Sequence, residues 1–362
     1  MNPWWVLALV VAVVVLLAVV LGVVLYLRRR GASTTDDPLQ AEPEDRPVPA
    51  VVANPIRVEP GTRARITATC TSLGWAEPLW LETTVDDPGT GQARAAVEQG
   101  ADVVLACGGD GTVRSVAQAL AGTGVAMGLV PMGTGNLLAK AVGVPSDPAA
   151  ATRVALTGDD RTIDVGRIRV DDDEEERVFL VMAGTGLDAV VMENTGEAMK
   201  ARVGRLAYFI SGFGAMFGPQ TRVTVAFDGA PAVRRRSRTV VVGNIGTLIG
   251  GLVLMPEATF DDGRLDIVNV APKGLVGWVA VLMRVITRRR RGHRRIEHWQ
   301  ATSVIITTET PQAAQIDGDP IGEVSVLSVR VDPGVLVVRI PAGPEPLALP
   351  PGPSAAVADQ AP

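Results

Sequence analysis

Residues 101–121 read ADVVLACGGDGTVRSVAQALA, an apolar run that breaks into glycines and then into a helix-forming stretch. Ala101 to Ala106 has the β-branched, unbroken apolar character of a strand buried on both faces. Gly108, Gly109 and Gly111 allow the chain to turn sharply and bring backbone N–H groups close to an anion. Thr112 is expected to cap the helix that follows, and the positive end of that helix favours phosphate. Asp110 is placed to hold a magnesium ion, its waters or a nucleotide hydroxyl. On its own, such a turn is equally a tight strand-to-helix connection.

The same arrangement recurs about 25 residues later. Strand Val125 to Val130 runs into Pro131-Met132-Gly133-Thr134-Gly135-Asn136 and then the helical LLAKAVG. Two neighbouring cradles suit a di- or triphosphate. Neither turn carries the GxxxxGK[ST] or GxGxxG spacing, which disfavours the P-loop and dinucleotide folds. Around them, Pro49 to Ala53 and Pro78 to Thr84 read as further strands, and Gly91 to Gln99 and Val113 to Ala121 as helices. This alternation predicts a parallel sheet covered by helices, with its ligands at the carboxyl ends of the strands.

The bulk properties agree. The chain has 362 residues, 47% of them hydrophobic, which is enough for two domains and a large core. A net charge of −5 argues against a duplex nucleic-acid binder. Cys70 and Cys107 lack metal-ligand spacing, and His293 and His298 are the only histidines. This fits a reducing compartment and argues against zinc or Ser/His/Asp chemistry.

At the amino end, Trp4 to Leu27 is an uncharged aliphatic run; as a helix it would span ~36 Å. Aromatic residues flank it and Arg28, Arg29 and Arg30 follow, so residues 1–30 are expected to be a single-pass anchor with the remainder in the cytoplasm. A cleaved signal peptide would instead carry its positive charge before a shorter apolar stretch. Residues 31–47 read as a flexible linker of ~25 Å reach. Domains are expected at 48–158 (α/β, with the two phosphate cradles) and 159–341 (antiparallel β-sandwich), with a Pro/Ala-rich disordered tail at 342–362. The strand-rich segments behind the second expectation include TIDVGRIRV, TRVTVAF and VLVVRI. Asp171 to Glu176 reads as a solvated hairpin tip, and Asp164 either orients the cleft or serves a turn.

These residues resemble the catalytic family of diacylglycerol kinases, bacterial lipid kinases related to sphingosine and ceramide kinases and more distantly to NAD kinases. The resemblance runs from Val48 to roughly Pro341. It is carried in order by Asn54-Pro55, Thr84, GGDGT, GTGN, Ile163-Asp164-Val165-Gly166, AGTGLDA at 183–189, DDGRLD at 261–266 and Asp317-Gly318-Asp319. It implies ATP binding by Asn54, Pro55, Thr84, Gly108 to Thr112 and Gly133 to Asn136. It also implies a catalytic acid/base at Asp317 or Asp319, and a structural Mg2+ held by Thr259, Asp262 and the main chain at Arg264. The chain departs from the pattern in three places: NPIRV in the first loop, Arg114 and Ser115 where Asn and Glu usually follow GGDGT, and Asp319 in place of Glu.

The expected activity is transfer of the ATP γ-phosphoryl group to a lipid hydroxyl, with diacylglycerol, giving phosphatidic acid, as first candidate. A carboxylate would take the hydroxyl proton. Sphingoid, ceramide or other lipid acceptors, an NAD kinase-like soluble substrate, and an inactive membrane-tethered nucleotide sensor are the alternatives. Pro272 to His298 adds an apolar stretch and seven arginines within 284–295, expected to dock on an anionic lipid surface. Arg234 to Arg236 and Arg238 either extend that face or form a solvated loop. Nothing in the sequence signals an oligomeric state.

Overall fold

Strand β3 (Val103–Gly108) lies at the centre of a parallel sheet, flanked by β1 (Pro49–Ala53) on one side and β4 (Ala126–Pro131) on the other, with β2 (Leu79–Glu82) beyond β1. The computed structural model describes residues 46–186, 220–246, 255, 258–272, 277 and 296–343. All six residues of β3 are buried, as its unbroken apolar run requires. Helices α1 (Pro60–Ser72), α2 (Thr90–Glu98), α3 (Asp110–Leu120) and α4 (Leu137–Ala141) each follow one of the four strands, and α5 (Pro148–Thr157) follows α4. Asp147 caps α5 by accepting the Ala150 N–H at 3.0 Å, and Pro148 takes the first turn, where its missing N–H costs nothing.

After α5 the chain turns to long strands. β5 (Asp159–Val170) and β6 (Arg177–Phe179) form a hairpin whose exposed acidic tip is the one expected at 171–176. β7 (Met182–Gly186), β8 (Thr221–Phe227), β9 (Val233–Ser237), β10 (Thr239–Gly243), β11 (Leu265–Val270) and β12 (Ile296–Ala301) follow. The last two strands are the longest, β13 (Ser303–Ile316) and β14 (Asp319–Ile340). Arg234 to Arg236 therefore lie on strand β9, which pairs with β8, and not in a loop.

The mixed sheet has the order β12-β11-β10-β7-β13-β14-β4-β3-β1-β2. β14 joins its two parts: most of its length is antiparallel to β13 and β5, while Val338 pairs in parallel with Met127 of β4. One apolar cluster lies under the parallel strands and a second, including Ile168, Phe179, Val225, Ile267 and Leu327, fills the β-rich part. Gly166 makes room for the second, because the Phe179 ring occupies the place a Cβ would need.

Among the described residues no helix is long and apolar enough to cross a membrane. The expected anchor at 1–30, nearly all of the linker and tail, and the arginine segment 284–295 lie outside the described residues.

Candidate functional site

The parallel strands bring four loops to one edge. Ala53 pairs with both Glu82 and Cys107, and Gly108 pairs with Pro131, so the residues after β1, β2, β3 and β4 leave the sheet side by side. This is where a parallel sheet binds ligands.

Asn54 shapes the first loop. Its Oδ1 accepts the Ile56 N–H at 3.1 Å and its carbonyl accepts those of Arg57 and Val58. Pro55 follows it, exposed. Thr84 closes the second: its Oγ1 accepts the Asp87 N–H at 3.0 Å, and its own N–H is donated to the Asp87 carbonyl.

The two glycine turns touch. A Cβ on Gly133 would lie 2.7 Å from the Gly109 Cα and 2.8 Å from the Asn136 Oδ1, distances real side chains do not tolerate. Thr112 does not cap helix α3. It is buried against Gly108, Gly109 takes the N-cap place in an extended conformation, and no side chain caps the helix. The Asp110 N–H turns to its own carboxylate, and helix geometry gives the next N–H groups of the first turn of α3 no acceptor within the helix, which suits them to a ligand or water.

Asp110 corrects a second expectation. Its carboxylate accepts the N–H groups of Asn136 at 2.8 Å and Leu137 at 2.6 Å, so it ties the first turn to the second and does not stand free for a metal or a nucleotide hydroxyl. Burial pushes its carboxyl up, and the nearby Asp319 adds to this, against the opposite pull of the two N–H groups. Asn136 adopts a left-handed φ of 47° and braces its own turn through Gly133, accepting that N–H and donating to that carbonyl. Lys140 donates to the Thr134 and Gly135 carbonyls, while Thr134 itself stays exposed.

The β-rich part faces these turns with Asp317-Gly318-Asp319. Asp317 is buried, and its carboxylate accepts three backbone N–H groups, from Leu180 (3.0 Å), Val181 (2.9 Å) and Met182 (3.0 Å). Burial pushes its carboxyl up, while Arg114 and these three donors pull it down. With both oxygens engaged it holds β7 to the turn, so the catalytic role expected of either aspartate narrows to Asp319. The Asp319 side chain is half exposed and its Oδ2 lies 3.4 Å from where a Cβ on Gly111 would stand. Arg114, on α3, donates to the Ile316 carbonyl at 3.1 Å and to Asp319 Oδ2 at 2.7 Å.

The third group lies at the β10–β11 side. Asp262 accepts the Arg264 N–H at 2.9 Å and a hydrogen bond from Thr259, and burial pushes its carboxyl up. Hard oxygens from Thr259 and Asp262 converge there, with the charges of Asp164 and Asp266 close enough to act on Asp262. That donor chemistry fits a hard divalent cation such as Mg2+. Among the described residues no group of three acidic, histidine or cysteine side chains gathers to hold a metal. Asp164 serves the turns: it accepts the N–H groups of Gly263 (2.7 Å) and Gly334 (2.8 Å).

A parallel sheet with paired glycine turns, joined edge to edge to a β-rich part that presents an aspartate over them, defines a two-part nucleotide-site fold. Comparison with known proteins gives it a family. Residues 71–168 match the diacylglycerol kinase catalytic domain, and residues 181–340 match the YegS C-terminal NAD kinase beta sandwich-like domain. A protein of Pseudomonas aeruginosa named "Probable lipid kinase YegS-like" is 34% identical over 262 residues, covering 68% of this chain and 80% of that protein. A diacylglycerol kinase of Mycobacterium tuberculosis is 37% identical over 179 residues, 48% of this chain and 56% of the relative, so the chain spans a little over half the length of that protein. The crystal structure of a diacylglycerol kinase from Bacillus anthracis shares the fold, with a TM-score of 0.64 at 22% identity over 81% of this chain and 96% of that one. The chain belongs to the diacylglycerol kinase and YegS-like lipid kinase family.

Proposed function

We propose that this protein transfers the γ-phosphoryl group of ATP to the hydroxyl of a membrane lipid, with diacylglycerol as the acceptor and phosphatidic acid as the product. The observation that carries this reading is the position of Asp319: a half-exposed carboxylate over Gly111, beside the uncapped first turn of α3 and the contact between Gly109 and Gly133. The names of the relatives supply the acceptor class.

The division of labour follows from the geometry. The glycine turns offer main-chain N–H groups and a helix N-terminus to the phosphates as a charge-neutralising cradle. The lipid hydroxyl gives its proton to Asp319 as its oxygen bonds to phosphorus, and the bond from phosphorus to the β,γ-bridging oxygen breaks with ADP departing. Asp317, Asp110 and Asn136 keep the turns in place. Mg2+ bound by Thr259, Asp262 and the Arg264 main chain would brace the β10–β11 connection and supply no step of the transfer; magnesium accompanying the nucleotide would neutralise phosphate charge.

A membrane location belongs to the same reading. An anchor at Trp4 to Leu27 and the arginines of 284–295 would hold the cytoplasmic catalytic part against the anionic leaflet where its substrate resides. Radiolabelled ATP with mixed micelles of diacylglycerol, ceramide, a sphingoid base and phosphatidylglycerol tests the activity. Label in phosphatidic acid is the expected outcome. Label in none of the lipids, with nucleotide still bound, overturns it.

A further inference from the structure

Arg114 has no part in the cradle or the proton transfer described above, yet it is the side chain that connects them. It sits on α3 one turn after Gly111, is largely covered, and reaches across to the other half of the molecule. One terminal nitrogen donates to the carbonyl of Ile316, the residue that ends β13, and the other to Oδ2 of Asp319. A planar guanidinium held at two points by groups three residues apart cannot rotate, and so it holds the carboxylate it grips. The bond to Arg114 is made by Oδ2 of a carboxylate that is half exposed, and among the described residues no hydrogen bond to Oδ1 is found.

We propose that Arg114 is a positioning residue for Asp319: it clamps one oxygen of the carboxylate to the helix that forms the phosphate cradle, so that the other meets the acceptor hydroxyl at a fixed distance from the phosphates. The proposal rests on the kinase reading above. Three observations favour it over a surface ion pair. The pair joins helix α3 to the start of β14, 205 residues apart in sequence and in different parts of the fold. The guanidinium is anchored a second time, to main chain, which removes much of the entropy that makes exposed pairs weak. The carboxylate it fixes is itself one side chain short of rigid support, because Asp319 begins β14 directly after Gly318 with φ of 90°. During transfer Arg114 neither gives nor takes a proton. The hydroxyl proton moves to Oδ1, the new O–P bond forms, and the electron pair of the broken P–O bond leaves on ADP.

The test is a double-mutant cycle in the full-length protein, with radiolabelled ATP and diacylglycerol micelles, using Arg114→Gln, Arg114→Lys, Asp319→Asn and the Arg114→Gln/Asp319→Asn pair. Urea midpoints are measured on each. Arg114→Gln is expected to lower kcat roughly 10- to 100-fold, the scale of a misplaced reacting group, with KM for ATP held within about twofold. Arg114→Lys is expected to restore part of the loss. In the Asp319→Asn background the Arg114→Gln change should cost nothing further, because there is no base left to position. Full additivity of the two changes, or a rise in KM for ATP at unchanged kcat, overturns the proposal and makes Arg114 a nucleotide ligand or a bystander. Should Arg114→Gln fail to fold, the same cycle with Arg114→Lys decides by the same criterion. Absence of wild-type turnover on any lipid removes the kinase reading and the role of Arg114 together, whereas turnover that ignores Arg114 removes the role alone.

Discussion

The two sides of the cleft are built from different materials. On the α/β side the surface offered to a ligand is backbone: Gly109 and Gly133 bring main chain against main chain, and the carboxylate between the two glycine turns, Asp110, faces inward to tie them together. On the β-rich side the offering is a single side chain, Asp319, while its neighbour Asp317 is turned inward to hold the strand. Each side therefore turns an aspartate inward for construction, and the proposed base, Asp319, stands on the β-rich side alone. A backbone cradle is damaged by adding atoms, and a side-chain base by removing them.

That contrast breaks most sharply at Asp319. Asp319→Asn keeps shape and loses the proton acceptor, so kcat should fall roughly 10²- to 10⁴-fold with the urea midpoint unmoved. A kinase assay beside an unfolding curve checks both halves, and full activity in the variant would show that the base lies elsewhere. Gly133→Ala is the matching test of the backbone side. Its new methyl would collide with the Gly109 Cα, and a displacement on the order of 1 Å in the cradle should cost about 10²-fold in kcat/KM, together with ~1–3 kcal/mol of stability from overpacking. ATP binding by calorimetry separates the loss of affinity from loss of fold. Asp317→Asn should reverse the pattern of Asp319→Asn. Its amide would face the Leu180 N–H, donor against donor, and leave a buried group unsatisfied at about 1–3 kcal/mol, while kcat changes less than tenfold. A variant that unfolds at wild-type urea concentration but loses turnover would merge the two aspartates into one catalytic pair.

Sequence periodicity exposed the parts of this design that are local. The glycine turns, the strands around them and the acidic hairpin at 171–176 all follow from residue type over a few positions. Helix α1 escaped because PGTRARITATCTS buries only Ile66, Thr69 and Cys70 and shows no clear apolar face. Helix α5 had a readable start, the Asp147 cap followed by Pro148, in a stretch otherwise dominated by alanine. Strand β9 reads VRRRS, and edge strands use such charge to deter pairing, so it resembles a loop when composition is the guide. The roles of Asp110, Asp317 and Arg114 were beyond any local pattern. Their partners lie 26, 137 and 205 residues away, and only the folded sheet brings them within reach. The departures from the family pattern at Arg114 and Asp319, which the fold brings into contact, were the visible signs that something at the cleft had been rearranged.

The smallest effect expected of the comparison concerns the inward-facing aspartates and pH. Burial makes the Asp110 carboxyl harder to ionise in the folded protein than in the unfolded chain. The folded state then binds more protons than the unfolded state over the interval above the ordinary carboxylate value, so stability from this group is fully present below that value and declines as pH rises through the folded one. Asp147, held low by the Ala150 N–H and then Arg65, Glu176, held low by Arg330, and Asp228, held low by the Thr302 and Ser303 donors, work in the opposite direction, but only on the acid side of the ordinary value. The two groups act in different pH windows and do not cancel. Urea midpoints should therefore rise modestly as pH is lowered toward the ordinary carboxylate value from above. Asp110→Asn removes the titrating group while keeping one acceptor for the Asn136 or Leu137 N–H, and should flatten that rise. A slope unchanged in Asp110→Asn would mean that the link between the glycine turns stays ionised throughout, and that the α/β side carries its charge as openly as the β-rich side does at Asp319.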